Sequence, residues 1–143
     1  MSAKQVVLTD KAPAPLPVLS QGIIHNGIVY CSGQVGIDPA SKQMVEGTVQ
    51  DRTAQIFRNL SAVLEKAGSS LEKVIKVNVF LANMDDFSAM NEIYSQFLNQ
   101  EPKPVRYLAT LSVLKAILKL TMHHEGPNLR GGQVTPFRNR RGD

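Results

Sequence analysis

The chain has 143 residues, 43% of them hydrophobic and 20% charged, which suits one domain whose apolar core needs neither disulfides nor metals. The single cysteine, Cys31, has no internal partner, no apolar run approaches the ~20 residues of a membrane helix, and residues 1–25 lack a basic start followed by an apolar stretch; a cytoplasmic location is expected, with the mitochondrion as the alternative. The net charge of +4 is uneven: residues 1–106 hold ten Lys/Arg and ten Asp/Glu, so the excess lies wholly in residues 107–143 and any pull on polyanions belongs to that end.

Residues 5–8 and 22–25 are strand candidates flanking residues 11–17 (KAPAPLP), whose three prolines cannot donate ladder hydrogen bonds and so predict an extended connector. Asn26 and Gly27 then form a two-residue hairpin turn into a strand over residues 28–31, followed by the glycine-bounded residues 32–36 (SGQVG) and a turn over residues 38–42 (DPASK). Residues 48–67 predict a helix. Val49, Thr53, Ile56, Phe57, Leu60, Val63, Leu64 and Ala67 share one face, Thr48 with Asp51 approximates a capping box, and Gly68 suits the left-handed position after the last turn. The alternation in residues 74–81 (VIKVNVFL) predicts a strand with one apolar face. A second helix is expected over residues 86–98, capped by Asp85 or Asp86, with Phe87, Met90, Ile93 or Tyr94, and Phe97 as its buried stripe.

This order predicts an α+β fold with two helices packed on one face of a sheet. One domain is expected over residues 1–121, and residues 122–143, rich in Gly, Pro and Arg, read as a basic disordered tail. Residues 107–120 are apolar enough for strand or helix, and their pattern selects neither.

Few side chains suggest chemistry on their own. His25, His123 and His124 lack metal-ligand spacing with Cys, Asp or Glu, so no metal is expected. Cys31 has no cationic neighbour in sequence and reads as a buried structural thiol. Asn59, Leu60 and Ser61 match a glycosylation sequon but lie inside the first predicted helix, and the terminal Arg141, Gly142 and Asp143 carry little information as an adhesion tripeptide.

Five fragments, residues 12–21 (APAPLPVLSQ), 29–39 (VYCSGQVGIDP), 67–74 (AGSSLEKV), 77–91 (VNVFLANMDDFSAMN) and 104–106 (PVR), stand in the order and spacing of the RidA (YjgF) family, which the first 106 residues resemble. The resemblance implies a chorismate-mutase-like fold and a homotrimer enclosing a β-barrel, with clefts between subunits. It also implies hydrolysis of reactive 2-imino acids, such as 2-iminobutanoate and 2-iminopropanoate, to 2-keto acids and ammonia, without a cofactor. On this resemblance Arg106 occupies the carboxylate-binding position and is the catalytic candidate; Ser32 and Gly33 line the cleft, and Asn91 matches a family asparagine on the second helix. A planar guanidinium fits the bidentate needs of a carboxylate, and a glycine lets the main chain approach a ligand.

The chain departs from the family at two places. Leu19 stands where an aromatic, commonly Tyr, precedes the Ser–Gln pair. After its arginine the family continues with a Leu–Pro turn and a strand like Val–Glu–Ile–Glu, whose first glutamate is thought to position or activate water; here no carboxylate follows Arg106 until Glu125. Residues 116–121 (AILKLT), read one base out of frame, can give Asp-Ile-Glu-Ile-Asp, which points to a frameshift, a mis-called intron or an alternative transcript for the chain from about residue 107. A genuine ending predicts weak or absent deaminase activity with carboxylate binding retained. The alternatives are a non-catalytic trimer that binds small carboxylates, and an RNA-directed endoribonuclease or translation inhibitor, as some relatives have been described. Nucleic-acid and membrane partners are not expected.

Overall fold

A computed structural model describes residues 3–111 and 119–125. Six strands form one sheet in the order β1-β2-β3-β6-β4-β5, comprising β1 (Gln5–Val7), β2 (Gly22–His25), β3 (Ile28–Cys31), β4 (Val74–Leu81), β5 (Val105–Thr110) and β6 (Lys119–Glu125). Two helices, α1 (Val49–Lys66) and α2 (Phe87–Phe97), complete the α+β fold, and both pack on one side of the sheet. All pairings are antiparallel except β4 with β5, a parallel pair joined through α2.

Local chemistry explains most of these elements. The turn between β2 and β3 has positive φ at both centres, 51° at Asn26 and 74° at Gly27, matching the right-handed twist of its strands. Thr48 and Asp51 form the reciprocal capping box of α1, and Gly68 (φ 78°) ends it while the Ser69 N–H donates to the Leu64 carbonyl at 2.8 Å. The start of α2 differs from the expected cap. Asp86 makes no capping hydrogen bond; the Asn83 side chain instead accepts from the Asp85 N–H, across a short 3₁₀ turn (Met84–Asp86) that feeds the helix. Asparagine satisfies the first free donor one turn earlier, so Asp85 and Asp86 lie inside the turn.

The helix side of the sheet is read from one register row, Val7–Gly22–Cys31 across β1 to β3 and Val77–Arg106 across β4 and β5. Val7, Cys31 and Val77 are buried with Ile56, Phe57, Leu60, Val63 and Leu64 of α1 and Met90 and Tyr94 of α2. A Cβ on Gly22 would lie 3.1 Å from Val63 Cγ1, so glycine lets α1 settle on β2. Ile75 is 44% exposed because the β4–β6 pairing shifts register between Val74 and Lys76, breaking the expected alternation at that residue. The adjacent row, Val6–Ile23–Tyr30 and Lys76–Val105, belongs to the opposite side, where Val6 (67%), Val105 (65%) and Tyr30 (40%) are exposed.

β6 crosses the boundary between residues 121 and 122 at which the domain was expected to end, so residues 122–125 are sheet rather than tail. It lies between β3 and β4, whose free backbone groups on both flanks it satisfies. The expected tail from Gly126 onward lies outside the described residues.

Candidate carboxylate-binding site

Arg106 is the second residue of the edge strand β5 and turns toward α2. Phe87, Asn91 and Tyr94 of that helix follow at four- and three-residue intervals and so share one face. Together they hold the guanidinium: Nη1 donates to Asn91 Oδ1 at 2.6 Å, and Cζ lies 4.7 Å from the Tyr94 ring centroid and 5.6 Å from that of Phe87. Burial pushes the Tyr94 phenol above its ordinary pKa, and the Arg106 charge opposes that rise. Among the described residues the one ion pair is Lys103 with Glu101, so Arg106 is held by neutral groups alone. Among the described residues no acid neutralises its charge, and the side chain is exposed.

Ser32 and Gly33 line a separate cavity of about 310 Å³ together with Leu16, Leu19, Gln21 and Gln34. Two buried amides brace its walls. Gln21, 1% exposed, accepts from the Thr9 N–H at 2.7 Å, while its Nε2 lies 2.9 Å from the Thr9 and Pro13 carbonyls and 3.3 Å from that of Ala12; this fastens the proline-rich connector. Asn59 Nδ2 donates to the Ile37 carbonyl at 2.9 Å, tying α1 to the opposite wall. The Ser32 hydroxyl donates to the Ser20 carbonyl at 2.6 Å and its N–H to Gln21 at 2.9 Å. The serine hydroxyl is therefore engaged in framing the cavity.

The structure thus brings Arg106 and Asn91 together but does not bring Ser32 and Gly33 to them. Arg106 is on β5 and Ser32 follows β3, with β6 and β4 between. Three strand spacings amount to roughly 14 Å, beyond the span of a small imino acid.

The sequence matches the family described as Endoribonuclease L-PSP over residues 9–122. The chain belongs to the RidA (YjgF) family. It is 40% identical over 112 residues to a RutC family protein of Pyrococcus abyssi, covering 78% of this chain and 87% of that one. It is 39% identical over 106 residues to the 2-iminobutanoate/2-iminopropanoate deaminase of Dermatophagoides farinae, covering 74% and 82%. Among solved structures it resembles Escherichia coli TdcF with bound serine, with a TM-score of 0.80 at 28% identity over 86% of this chain and 99% of that one. The RidA-family match runs to Met122, past Arg106 and through the stretch without a Leu–Pro turn or glutamate.

Sequence reading met Gln21 only as the end of a family fragment and Asn59 only as part of a sequon, and it placed Tyr94 only in a buried stripe. Gln21 and Asn59 carried a usable signal: one is an amide opening an apolar strand, the other an amide one place before Leu60 on the apolar face of α1. Such residues persist in a core only with their hydrogen bonds satisfied. The buried position of Asn59 also disposes of the sequon, since its amide is 1% exposed and donating to main chain.

Proposed function

We propose that this RidA-family chain binds 2-imino acids and 2-keto acids through Arg106 and hydrolyses the imines to 2-keto acids and ammonia, slowly for its family. The observation that carries the reading is the guanidinium held by Asn91, Tyr94 and Phe87 with no carboxylate among the described residues to neutralise it. Such an arginine offers a bidentate, already oriented partner to a substrate carboxylate. The relative named as a 2-iminobutanoate/2-iminopropanoate deaminase and the serine-bound structure of TdcF support a small ligand bearing a carboxylate.

Arg106 fixes the carboxylate end of the imine, and its charge draws electrons from the adjacent C=N carbon, which water attacks. The carbinolamine then expels ammonia to leave the 2-keto acid. Ser32 and Gly33 belong to the cleft on this reading. Their separation from Arg106 within one chain favours a homotrimer in which the halves meet between copies, docked through the exposed apolar side bearing Val6, Tyr30, Val105 and Tyr107.

Residues 107–124 contain no Asp or Glu, so no carboxylate on β6 before Glu125 assists the water. Loss of such a general base typically costs ~10²–10⁴-fold. This absence favours a second reading, a non-catalytic binder of small carboxylates. A coupled assay in which a dehydratase generates 2-iminobutanoate tests the first. Turnover about 10²–10⁴ below a glutamate-bearing relative and abolished in Arg106→Ala supports it. No turnover, with Arg106-dependent binding of 2-ketobutyrate, selects the binder; turnover unchanged in Arg106→Ala overturns both.

A further inference from the structure

We propose that Tyr94 is a positioning residue for Arg106, its aromatic face fixing the guanidinium and its own orientation set by Phe57 in the core. The inference rests on the reading of Arg106 as the carboxylate binder and extends it to a residue that touches no substrate.

An arginine near the start of an edge strand has several rotatable bonds and, among the described residues, no strand beyond it on the outer flank of the sheet. A bidentate partner for a carboxylate needs its plane fixed, and one hydrogen bond to Asn91 leaves rotation about that bond free. The Tyr94 ring supplies the second constraint. Its centroid lies 4.7 Å from Arg106 Cζ, closer than that of Phe87 and well inside the ~6 Å range of cation–π attraction. The ring does so without adding an opposite charge, so the affinity of Arg106 for an anion is not diminished.

A ring can orient its partner only if it is held itself. Tyr94 is 8% exposed and meets Phe57 of α1 edge-on, with centroids 5.8 Å apart and planes at 76°. Phe57 is fully buried and stacked on Phe97, with centroids 4.9 Å apart and planes 8° from parallel. Both geometries are preferred arrangements of aromatic quadrupoles. A continuous aromatic path, Phe97–Phe57–Tyr94, therefore runs from the middle of the core to the guanidinium. The phenol hydroxyl is not required by this arrangement; the ring face is.

The test separates ring electrostatics from packing. Binding of 2-ketobutyrate is measured by titration calorimetry on the full chain for wild type, Tyr94→Phe, Tyr94→Leu and a series with mono-, di- and trifluorinated phenylalanine at position 94, with Arg106→Ala as reference. The expected result is Tyr94→Phe within about 2-fold of wild type, Tyr94→Leu weaker by roughly 5-fold, and a stepwise loss along the fluorinated series, whose shape hardly changes while the ring face loses negative charge. The Arg106 Nε–Hε proton resonance should move upfield through the ring current in wild type and Tyr94→Phe, and return to the ordinary arginine position in Tyr94→Leu. Equal binding along the fluorinated series, or an Hε resonance unaffected by Tyr94→Leu, overturns the positioning role. If Arg106→Ala binds like wild type, the carboxylate-site reading fails instead, and the Hε resonance still decides whether the ring holds the arginine.

Discussion

Replacing Asn91 by Asp probes whether the value of Arg106 lies in a charge left unneutralised. The side chain keeps its shape, but the acceptor 2.6 Å from Arg106 Nη1 becomes one oxygen of a carboxylate. Two unit charges about 4 Å apart interact by ~1 kcal/mol in water and ~4 kcal/mol at an effective dielectric of 20. Arg106 is exposed, so screening keeps the effect near the lower limit, at about 1–2 kcal/mol. An incoming carboxylate loses that much attraction and meets the new anion as well, which predicts a Kd for 2-ketobutyrate weaker by roughly 5- to 30-fold at neutral pH. Asn91→Ala removes orientation without adding charge and should cost only about 2- to 5-fold. The sign of the pH dependence follows. Beside Arg106 the new carboxylate titrates below its ordinary value of about 3.9, so affinity recovers only as pH falls through that lower value. Calorimetric titration at low and high salt measures both effects, and high salt should narrow the gap between Asn91→Asp and wild type. Unchanged or tighter binding by a folded Asn91→Asp variant refutes the claim that the site depends on an uncompensated arginine.

Gln21→Leu leaves the connector's backbone groups without their amide partner; with about three bonds satisfied at once, unfolding in urea should show a loss of roughly 2–4 kcal/mol at fixed protein concentration. A Cβ on Gly36 would lie 3.0 Å from both Cα and Cβ of Arg52, so Gly36→Ala should lower stability by about 1–3 kcal/mol in the same experiment. Hydrogen bonds from Thr48 hold the Asp51 carboxyl below its ordinary pKa, so its stabilisation is present above the unfolded value and is lost as pH falls through the lower folded one; Asp51→Asn should flatten that part of the acid unfolding curve. Burial pushes the Cys31 thiol up to about 12, so labelling by a thiol reagent at neutral pH should be slow in the folded protein and fast in urea.

The sequence carried the parts of the fold that local chemistry determines. The Asn26–Gly27 turn, the Thr48/Asp51 cap, the stripe of α1 and the limits of β4 all depend on residues within a few positions of one another. β6 was hidden for the opposite reason. Residues 119–123 (KLTMH) do alternate polar and apolar, but the largely apolar stretch before them and His124 and Glu125 after them mask that period, and the strand is completed by pairing with β3 and β4, far away in sequence. At the site, Arg106 and Asn91 were found through family spacing. The pairing between them follows from the packing of α2 beside β5, and so does the selection of Tyr94 over Ile93 as the buried neighbour. The distance between the Ser32 cavity and Arg106 depends on strand order, which no local pattern encodes.

The central place of β6 has a consequence for how the protein is made. Without it the strand order separates into β1-β2-β3 and β4-β5, two pieces with no ladder between them. Synthesis delivers both pieces before the strand that joins them, so each waits with an open edge able to pair with another chain. Closure is then a late, long-range event. A premature stop after Thr110 would remove the seam of the sheet and leave two unpaired strand edges exposed in its middle.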